Sequence, residues 1–196
     1  MDIFKENKLM ILPVYAYGQP VLTKKAEEIS EDYENLQTLI DDMFETMYNA
    51  KGVGLAGPQI GKSIRLFIVD TEQLITEDSK PKIPITGIKK AFINPKVIET
   101  VGDLWPYEEG CLSIPGVNGE VDRKVGVKIE YYDRDWNHHV ELYEGMEARV
   151  ILHEYDHVEG ILFTEYFKPL KKRLNRRKLD KIRKGKMKVA YPMQYA

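Results

Sequence analysis

Apolar side chains recur at helical spacing between residues 31 and 50, in the most regular stretch of the chain. They form one stripe, which consists of Leu36, Leu39, Ile40, Met43, Phe44 and Met47. Residues three and four positions apart share one face of an α-helix, so the stripe predicts a helix that packs against a core. Ser30 is a suitable N-cap for this helix, and Gly52 is a suitable stop signal.

Runs with the character of β-strands follow at residues 64–70, 91–98, 124–132 and 138–143. The sequence DRDWN joins the last two runs and predicts a hairpin, so we expect an antiparallel sheet. Residues 71–90 are mixed in polarity and contain two prolines, which predicts a loop or insertion that no function requires.

Two more helices complete the predicted elements. One covers roughly residues 145–158, and a highly charged one covers roughly residues 169–184, before Gly185. The chain has 196 residues, 43% of them hydrophobic, which is enough for one sizeable core and short for two. We therefore predict a single domain of the α+β class.

The charge of the whole molecule does not decide between partners, because the formal net charge is only −2. Its distribution is uneven. Residues 168–188 contain twelve of the 29 Lys and Arg residues and a single acid, Asp180. The chain therefore has an acidic body and a basic C-terminal segment.

Cys111 is the only cysteine, which excludes an intramolecular disulfide and fits a reducing compartment. The N-terminal apolar run is too short for a signal peptide and is interrupted by Pro13. No apolar stretch approaches the ~20 residues that a membrane-spanning helix needs. We therefore expect a cytoplasmic protein without a membrane partner.

The sequence HEYDH at residues 153–157 lies within the helix predicted at residues 145–158. His153 and His157 are four residues apart, so both can present a ring nitrogen to one ion, while Glu154 is offset towards an ion-bound water. This is the HExxH arrangement of metal-dependent hydrolases. The alternative is a helix that carries one buried and one surface histidine without a metal.

A catalytic site of the zinc type needs a third protein ligand. A metzincin would have a histidine where this chain has Phe163. A thermolysin-like enzyme would take a downstream acid, and Glu159, Glu165 and Asp180 offer no convincing one. The third ligand must therefore be sought upstream.

Cys111 lies upstream in the sequence EEGCLSIPG, where Gly110 and Gly116 give the backbone room to place its side chain. A thiolate is a suitable partner for two imidazoles around a divalent ion, so Cys111 is the expected third ligand. Two alternatives remain open. Cys111 can be a small buried hydrophobic residue, or the nucleophile of a Cys–His pair, which leaves Glu154 without a role.

Three motifs occur in order: GVGLAGPQ at residues 52–59, EGCLS at 109–113 and HEYDH at 153–157. Together they resemble the signature motifs of the peptide deformylases, enzymes that remove the formyl group from the initiator methionine of nascent chains. The resemblance extends over most of the chain. It implies a metal-dependent hydrolase that releases formate.

The resemblance also implies an architecture, with antiparallel sheets packed around a central HExxH helix and a basic helix at the C-terminus. Residues 1–168 would form the catalytic domain, and residues 169–196 would be a helix and tail belonging to that same domain. Gly57, Pro58 and Leu152 depart from residues common in the family, but none of them replaces a ligand or a catalytic group.

The implied metal ligands are Cys111, His153 and His157, which would hold one divalent ion. The family generally works with Fe²⁺, so Fe²⁺ is expected in the cell, whereas Zn²⁺, Ni²⁺ or Co²⁺ can occupy the purified protein. Glu154 would be the general acid and base that moves the proton of the attacking water.

The first and second motifs imply the remaining roles. The Gln59 side-chain amide and the backbone N–H of Leu112 would stabilise the oxyanion. Gly54 and Gly110 would bind the extended peptide through their backbones.

Two further expectations concern charged groups. Glu109, next to the ligand loop, is expected to form an ion pair with Arg123. Residues 168–188 are expected to dock on ribosomal RNA, so that the enzyme meets formyl-Met nascent peptides there. No predicted catalytic residue lies beyond His157, so truncation near Pro169 is expected to leave peptide turnover largely intact.

The alternative functions are an HExxH metalloprotease and an RNA-binding protein that acts through the basic helix.

Overall fold

The computed structural model describes residues 9–75 and 85–196, and its centre is a five-stranded antiparallel sheet. Its strands are β2 (Gly54–Ala56), β3 (Leu66–Asp70), β4 (Lys89–Glu109), β5 (Gly119–Tyr132) and β6 (His138–Glu144). Two short strands, β1 (Val14–Tyr15) and β7 (Met193–Gln194), pair with each other outside this sheet. The helices are α1 (Leu36–Asn49), α2 (Gly145–Val158) and α3 (Pro169–Arg183). The sheet has the order β2-β3-β4-β5-β6, and each neighbouring pair is antiparallel. The predicted α+β class and antiparallel sheet are confirmed.

The strand predicted at residues 91–98 is much longer in the structure. β4 continues to Glu109, and its partner β5 begins at Gly119, before the predicted start. Three irregularities shift the register between these strands, so the alternation of apolar and polar residues is interrupted. This long hairpin delivers Glu109 to the loop at residues 110–118, which we call the ligand loop.

The HExxH helix α2 has the predicted bounds and packs against the sheet in one apolar cluster, with Phe67, Phe92, Tyr131 and Ile151 among its members. In the first turn of α2, the buried Glu147 carboxylate accepts hydrogen bonds of 2.8 Å from the backbone N–H groups of Thr86 and Gly87. The segment predicted at 71–90 as a loop without a role therefore helps to hold α2, although its residues 76–84 lie outside the described residues.

The stripe of α1 is buried as predicted, in a second apolar cluster with Leu55 and Ile68. The predicted N-terminal end of this helix is wrong, whereas its C-terminal end, at Asn49 with Ala50 as C-cap, lies within one residue of the prediction. Asn35 has a positive φ of 57°, which separates the turn after Ser30 from the helix, and no side-chain cap forms. At the other end, Lys51 rather than Gly52 takes the left-handed conformation, with φ 57°.

The basic helix α3 forms within one residue of its predicted end. Leu170 and Leu174 are 67% and 70% exposed, as the uneven spacing of its apolar residues suggests, but Ile182 is fully buried in a third apolar cluster. After α3 the chain returns to the body, where β7 pairs in parallel with β1, a contact that the sequence analysis did not predict. Among the described residues, no helix combines the length and hydrophobicity that a membrane span requires.

Candidate metal centre

The two histidines of α2 lie one turn apart, with ring centroids separated by 5.1 Å. Cys111 reaches them from the ligand loop, and its Sγ is 3.2 Å from Nε2 of His157. One ligand atom from each of Cys111, His153 and His157 lies within 4.8 Å of the others. Ligand atoms of a tetrahedral ion are roughly 3–4 Å apart, so a small contraction of this cluster is enough to enclose one.

Glu109 sets the orientation of His153. Its Oε2 is 2.8 Å from Nδ1 of His153, which leaves Nε2 of that ring for the cluster. A carboxylate in this position fixes both the tautomer and the ring plane of a ligating histidine. Glu109, the residue before the ligand loop, therefore contacts the site through one of the predicted metal ligands.

The predicted ion pair between Glu109 and Arg123 is confirmed. Both side chains are buried, and the pair is bidentate, with distances of 2.7 Å from Nε and 3.1 Å from Nη2 of Arg123. Arg123 also binds Asp156 on α2 at 2.7 Å, so one guanidinium joins β4 to the metal helix. Burial acts to raise the pKa of Glu109, but hydrogen bonds from His153 and Arg123 hold that pKa well below its usual range.

Arg149 is a site residue that the sequence analysis missed. It lies one turn before His153 on α2, and its Nη1 is 2.9 Å from Oε1 of Glu109. Glu109 therefore faces two guanidinium groups and one imidazole, so its ionised form is well compensated. The i, i+4 spacing from His153 was a signal in the sequence, but nothing local connected Arg149 to Glu109.

Glu154 is buried, and its Oε2 has no hydrogen-bond partner in the described part of the chain. Burial raises the pKa of this carboxyl group to about 7. A Cβ on Gly54 would lie only 2.5 Å from Oε1 of Glu154, so the missing side chain at residue 54 makes room for the carboxylate. An unpaired buried carboxylate is costly in a structural role, so Glu154 is a candidate functional group.

Gln59 lies in a short 3-10 turn, Gly57–Ile60, opposite the ligand loop. Its Oε1 accepts the N–H of Ala56 at 2.8 Å, which turns Nε2 towards Cys111 Sγ at 3.5 Å and Ser113 Oγ at 3.3 Å. Gly57 is required in this turn, because a Cβ there would come within 2.9 Å of the Ile64 carbonyl. This departure from the family pattern therefore leaves the orientation of the Gln59 amide intact.

Leu112 follows Cys111 in the ligand loop, and its backbone N–H forms no hydrogen bond within residues 9–75 and 85–196. Leu152, the third departure from the family pattern, packs into the cluster of the α2 helix instead of making a polar contact. Gly110 lies beside Asn118, whose Oδ1 would be 3.1 Å from an added Cβ.

A cavity of about 550 Å³ opens onto these groups. Seven of the eight predicted site residues line it: Gly54, Gln59, Gly110, Cys111, Leu112, His153 and Glu154. The eighth, His157, is in contact with Cys111 and almost fully buried. Tyr191, from the C-terminal tail, also lines the cavity and was not predicted. The arrangement offers three side chains that can bind a cation, a proton acceptor and two N–H donors within one opening.

Comparison with known proteins identifies this arrangement. Residues 11–173 match the model of the polypeptide deformylase family. The chain belongs to the peptide deformylase family. A peptide deformylase of Christiangramia forsetii is 50% identical over 189 residues, which are 95% of this chain and 96% of that protein.

Solved structures support the same assignment. A peptide deformylase from Legionella pneumophila superposes with a TM-score of 0.76 at 38% identity, over 89% of this chain and 96% of that one. The peptide deformylase from Thermus thermophilus superposes with a TM-score of 0.77 at 36% identity, over 90% of this chain and 100% of that one. The predicted family and deformylase activity are confirmed, and the chain is a metal-dependent hydrolase. The metalloprotease and RNA-binding alternatives are not favoured.

Proposed function

We propose that the chain removes the N-formyl group from the initiator methionine of nascent polypeptides at one divalent ion held by Cys111, His153 and His157. The observation that carries this proposal is the Cys–His–His cluster beside the buried, unpaired carboxylate oxygen of Glu154. The donor set of one thiolate and two imidazoles suits Fe²⁺ and Zn²⁺. As the family resemblance implies, Fe²⁺ is the proposed ion in the cell. Zn²⁺, Ni²⁺ or Co²⁺ can occupy the site in purified samples.

When bound by Cys111, His153 and His157, the ion would supply Lewis acidity, which would lower the pKa of the attacking water towards neutrality. Glu154 accepts a proton from the attacking water and passes it to the departing amine as the C–N bond of the formamide breaks. The products are formate and a free methionyl amine. Gly54 leaves the carboxylate the space to make this transfer, because a side chain there would occupy its position.

The growing negative charge on the formyl oxygen needs donors that are already oriented. The Nε2 amide of Gln59 and the N–H of Leu112 serve this role, since the first is held by Ala56 and the second has no other partner among the described residues. The backbones of Gly54 and Gly110 border the same cavity and bind the extended peptide.

The test is formate release from a short formyl-Met peptide, measured on anaerobically purified protein together with its metal content. We expect turnover in proportion to bound metal, iron as the most active ion, and loss of activity on chelation. Cleavage of internal bonds in an unformylated peptide, without formate release, would instead support the metalloprotease reading.

We also propose that residues 169–196 belong to the same domain as residues 1–168 and that α3 docks on ribosomal RNA. A groove of about 1160 Å³ runs along α3, against residues 17–23 and 162–167. Four exposed cations on α3 line it without an ion pair to any described residue: Lys172, Arg173, Arg176 and Arg177. Unpaired cations in a row are suited to phosphate contacts without base specificity.

Replacement of Lys172, Arg173 and Arg176 by glutamine should weaken ribosome binding and flatten its dependence on salt. Each lost phosphate contact removes about 0.9 from the log–log salt slope for a duplex. The measurement is a ribosome titration across a salt series, and formyl-Met peptide turnover should not change. A matched control neutralises Lys62, Lys96 and Lys128, which lie outside the groove. Equal loss in both variants, or none in either, would contradict docking through α3.

A further inference from the structure

The C-terminal tail returns to the metal centre after α3. Its strand β7 is held by hydrogen bonds of 2.9 Å from the N–H of Val14 to the carbonyl of Pro192 and from the N–H of Ala16 to the carbonyl of Gln194. Met193 and Tyr195 pack against the third apolar cluster, which also contains Ile114 of the ligand loop. The tail is therefore fixed to the body on the side that faces the ligand loop.

Two contacts connect this assembly to the ligand loop itself. The N–H of Tyr17, just after β1, donates to the carbonyl of Ser113 at 2.8 Å. The hydroxyl of Tyr191 donates to the carbonyl of Leu112 at 2.8 Å. Tyr191 is half-buried and lines the cavity, so its hydroxyl reaches the loop from the same side as the substrate.

We propose that Tyr191 is a positioning residue for deformylation, because its hydroxyl fixes the Leu112 backbone in the orientation that aims the Leu112 N–H into the cavity. This inference rests on the proposed role of that N–H as an oxyanion donor. The peptide group before Leu112 is restrained through Cys111, and the peptide group after it is restrained through the bond to Tyr191. With both sides held, the donor is oriented before the reaction starts, which is the condition for effective oxyanion stabilisation.

The composition of the ligand loop explains why such a restraint is needed. Gly110 and Gly116 flank the ligand, and Gly116 has a positive φ of 68°, so the backbone has more freedom than average. Within the loop, the N–H of Ile114 donates to the Cys111 carbonyl at 2.9 Å, but the Leu112 carbonyl has only the tyrosine hydroxyl as a partner among the described residues. Loss of that hydroxyl frees the loop at the residue beside the metal ligand.

This inference reverses the expectation that truncation near Pro169 leaves turnover intact. Such a truncation removes the buried Ile182 and β7 together with Tyr191. The residues after Pro169 thus contribute Tyr191 to the wall of the active site in addition to forming the basic segment.

Tyr191→Phe tests the proposal, because it keeps the ring and removes the hydroxyl. We expect kcat for a formyl-Met peptide to fall roughly two- to tenfold, as for the loss of one neutral hydrogen bond. KM, metal content and Tm should stay near the wild-type values, since the hydroxyl acts on the transition state and not on substrate affinity. Amide hydrogen exchange of the peptide at residues 110–116 should become faster.

Tyr195→Phe is the matched control, because the Tyr195 hydroxyl donates to the Met187 carbonyl within the tail, 3.2 Å away, and not to the ligand loop. It should leave both kcat and the exchange of residues 110–116 unchanged. Wild-type kcat or wild-type exchange in Tyr191→Phe would overturn the inference while the deformylase proposal stands. Equal losses in the two variants would reduce Tyr191 to a general role in tail folding. An inactive, fully metallated wild type would overturn the proposed function instead.

Discussion

Glu154→Gln is expected to lower kcat/KM for a formyl-Met peptide by about 10²–10⁴-fold, the usual contribution of a positioned general acid and base. Glutamine has the shape of the carboxylate, so it fits the space beside Gly54 without a new contact. It cannot accept the proton of the attacking water. Metal content should be unchanged, because the proposed ligand atoms belong to Cys111, His153 and His157. The measurements are formate release and elemental analysis on the same sample.

A matched control is Glu120→Gln, which makes the same chemical change at an exposed residue of β5. It should retain wild-type activity. Loss of metal in Glu154→Gln would show that Glu154 is itself a metal ligand. Unchanged turnover would show that Glu154 takes no part in the reaction. The stability of the variant should not fall, since burying a neutral amide costs less than burying an unpaired carboxylate.

The helices were the most predictable part of this fold, because their signal is local. The stripe of α1 and the spacing of His153 and His157 both follow the helical period, and both appear in the structure on one face. The ends of α1 were less predictable. The left-handed conformations of Asn35 and Lys51 arise where the chain turns into its neighbours, and neither residue is a glycine.

The strand β4 was underpredicted for a physical reason. Beyond Val97 its residues are largely exposed and its register shifts twice more, so no alternation of period two survives in the sequence. The length of β4 comes from its pairing with β5, a contact with a different segment of the chain. The same holds for β1 and β7, which are two residues each and lie at opposite ends of the chain.

The site was predictable where residue type and spacing carried the chemistry. Cys111 stood out as the single thiol, and the resemblance supplied Gln59 and Arg123. Arg149 and Tyr191 escaped because each reaches the site only through the tertiary fold. Arg149 meets Glu109 from 40 positions away along the chain, and Tyr191 meets Leu112 from 79 positions away.

Cys111→Ser is expected to abolish tight metal binding and deformylation together. A serine hydroxyl stays protonated near neutral pH, so it cannot replace the thiolate that binds a borderline-soft ion beside two imidazoles. The fold should persist, because the first and second apolar clusters do not contain Cys111 and the Glu109–Arg123 pair does not involve the sulfur atom. Metal content, formate release and Tm are the measurements, and Tm should be compared with that of the wild type after chelation.

Metal content and activity, measured in the serine variant and in the chelated wild type, also separate the two other interpretations of Cys111. If Cys111 were a small buried hydrophobic residue, the serine variant would keep full metal content and normal turnover. If it were the nucleophile of a Cys–His pair, activity would be lost in the variant, yet the wild type would stay active after chelation. The distance of 3.2 Å between Sγ and Nε2 of His157 fits such a pair as well as a shared ion. His153 favours the proposed ion, since its Nδ1 is bound to Glu109 while its other nitrogen completes the cluster.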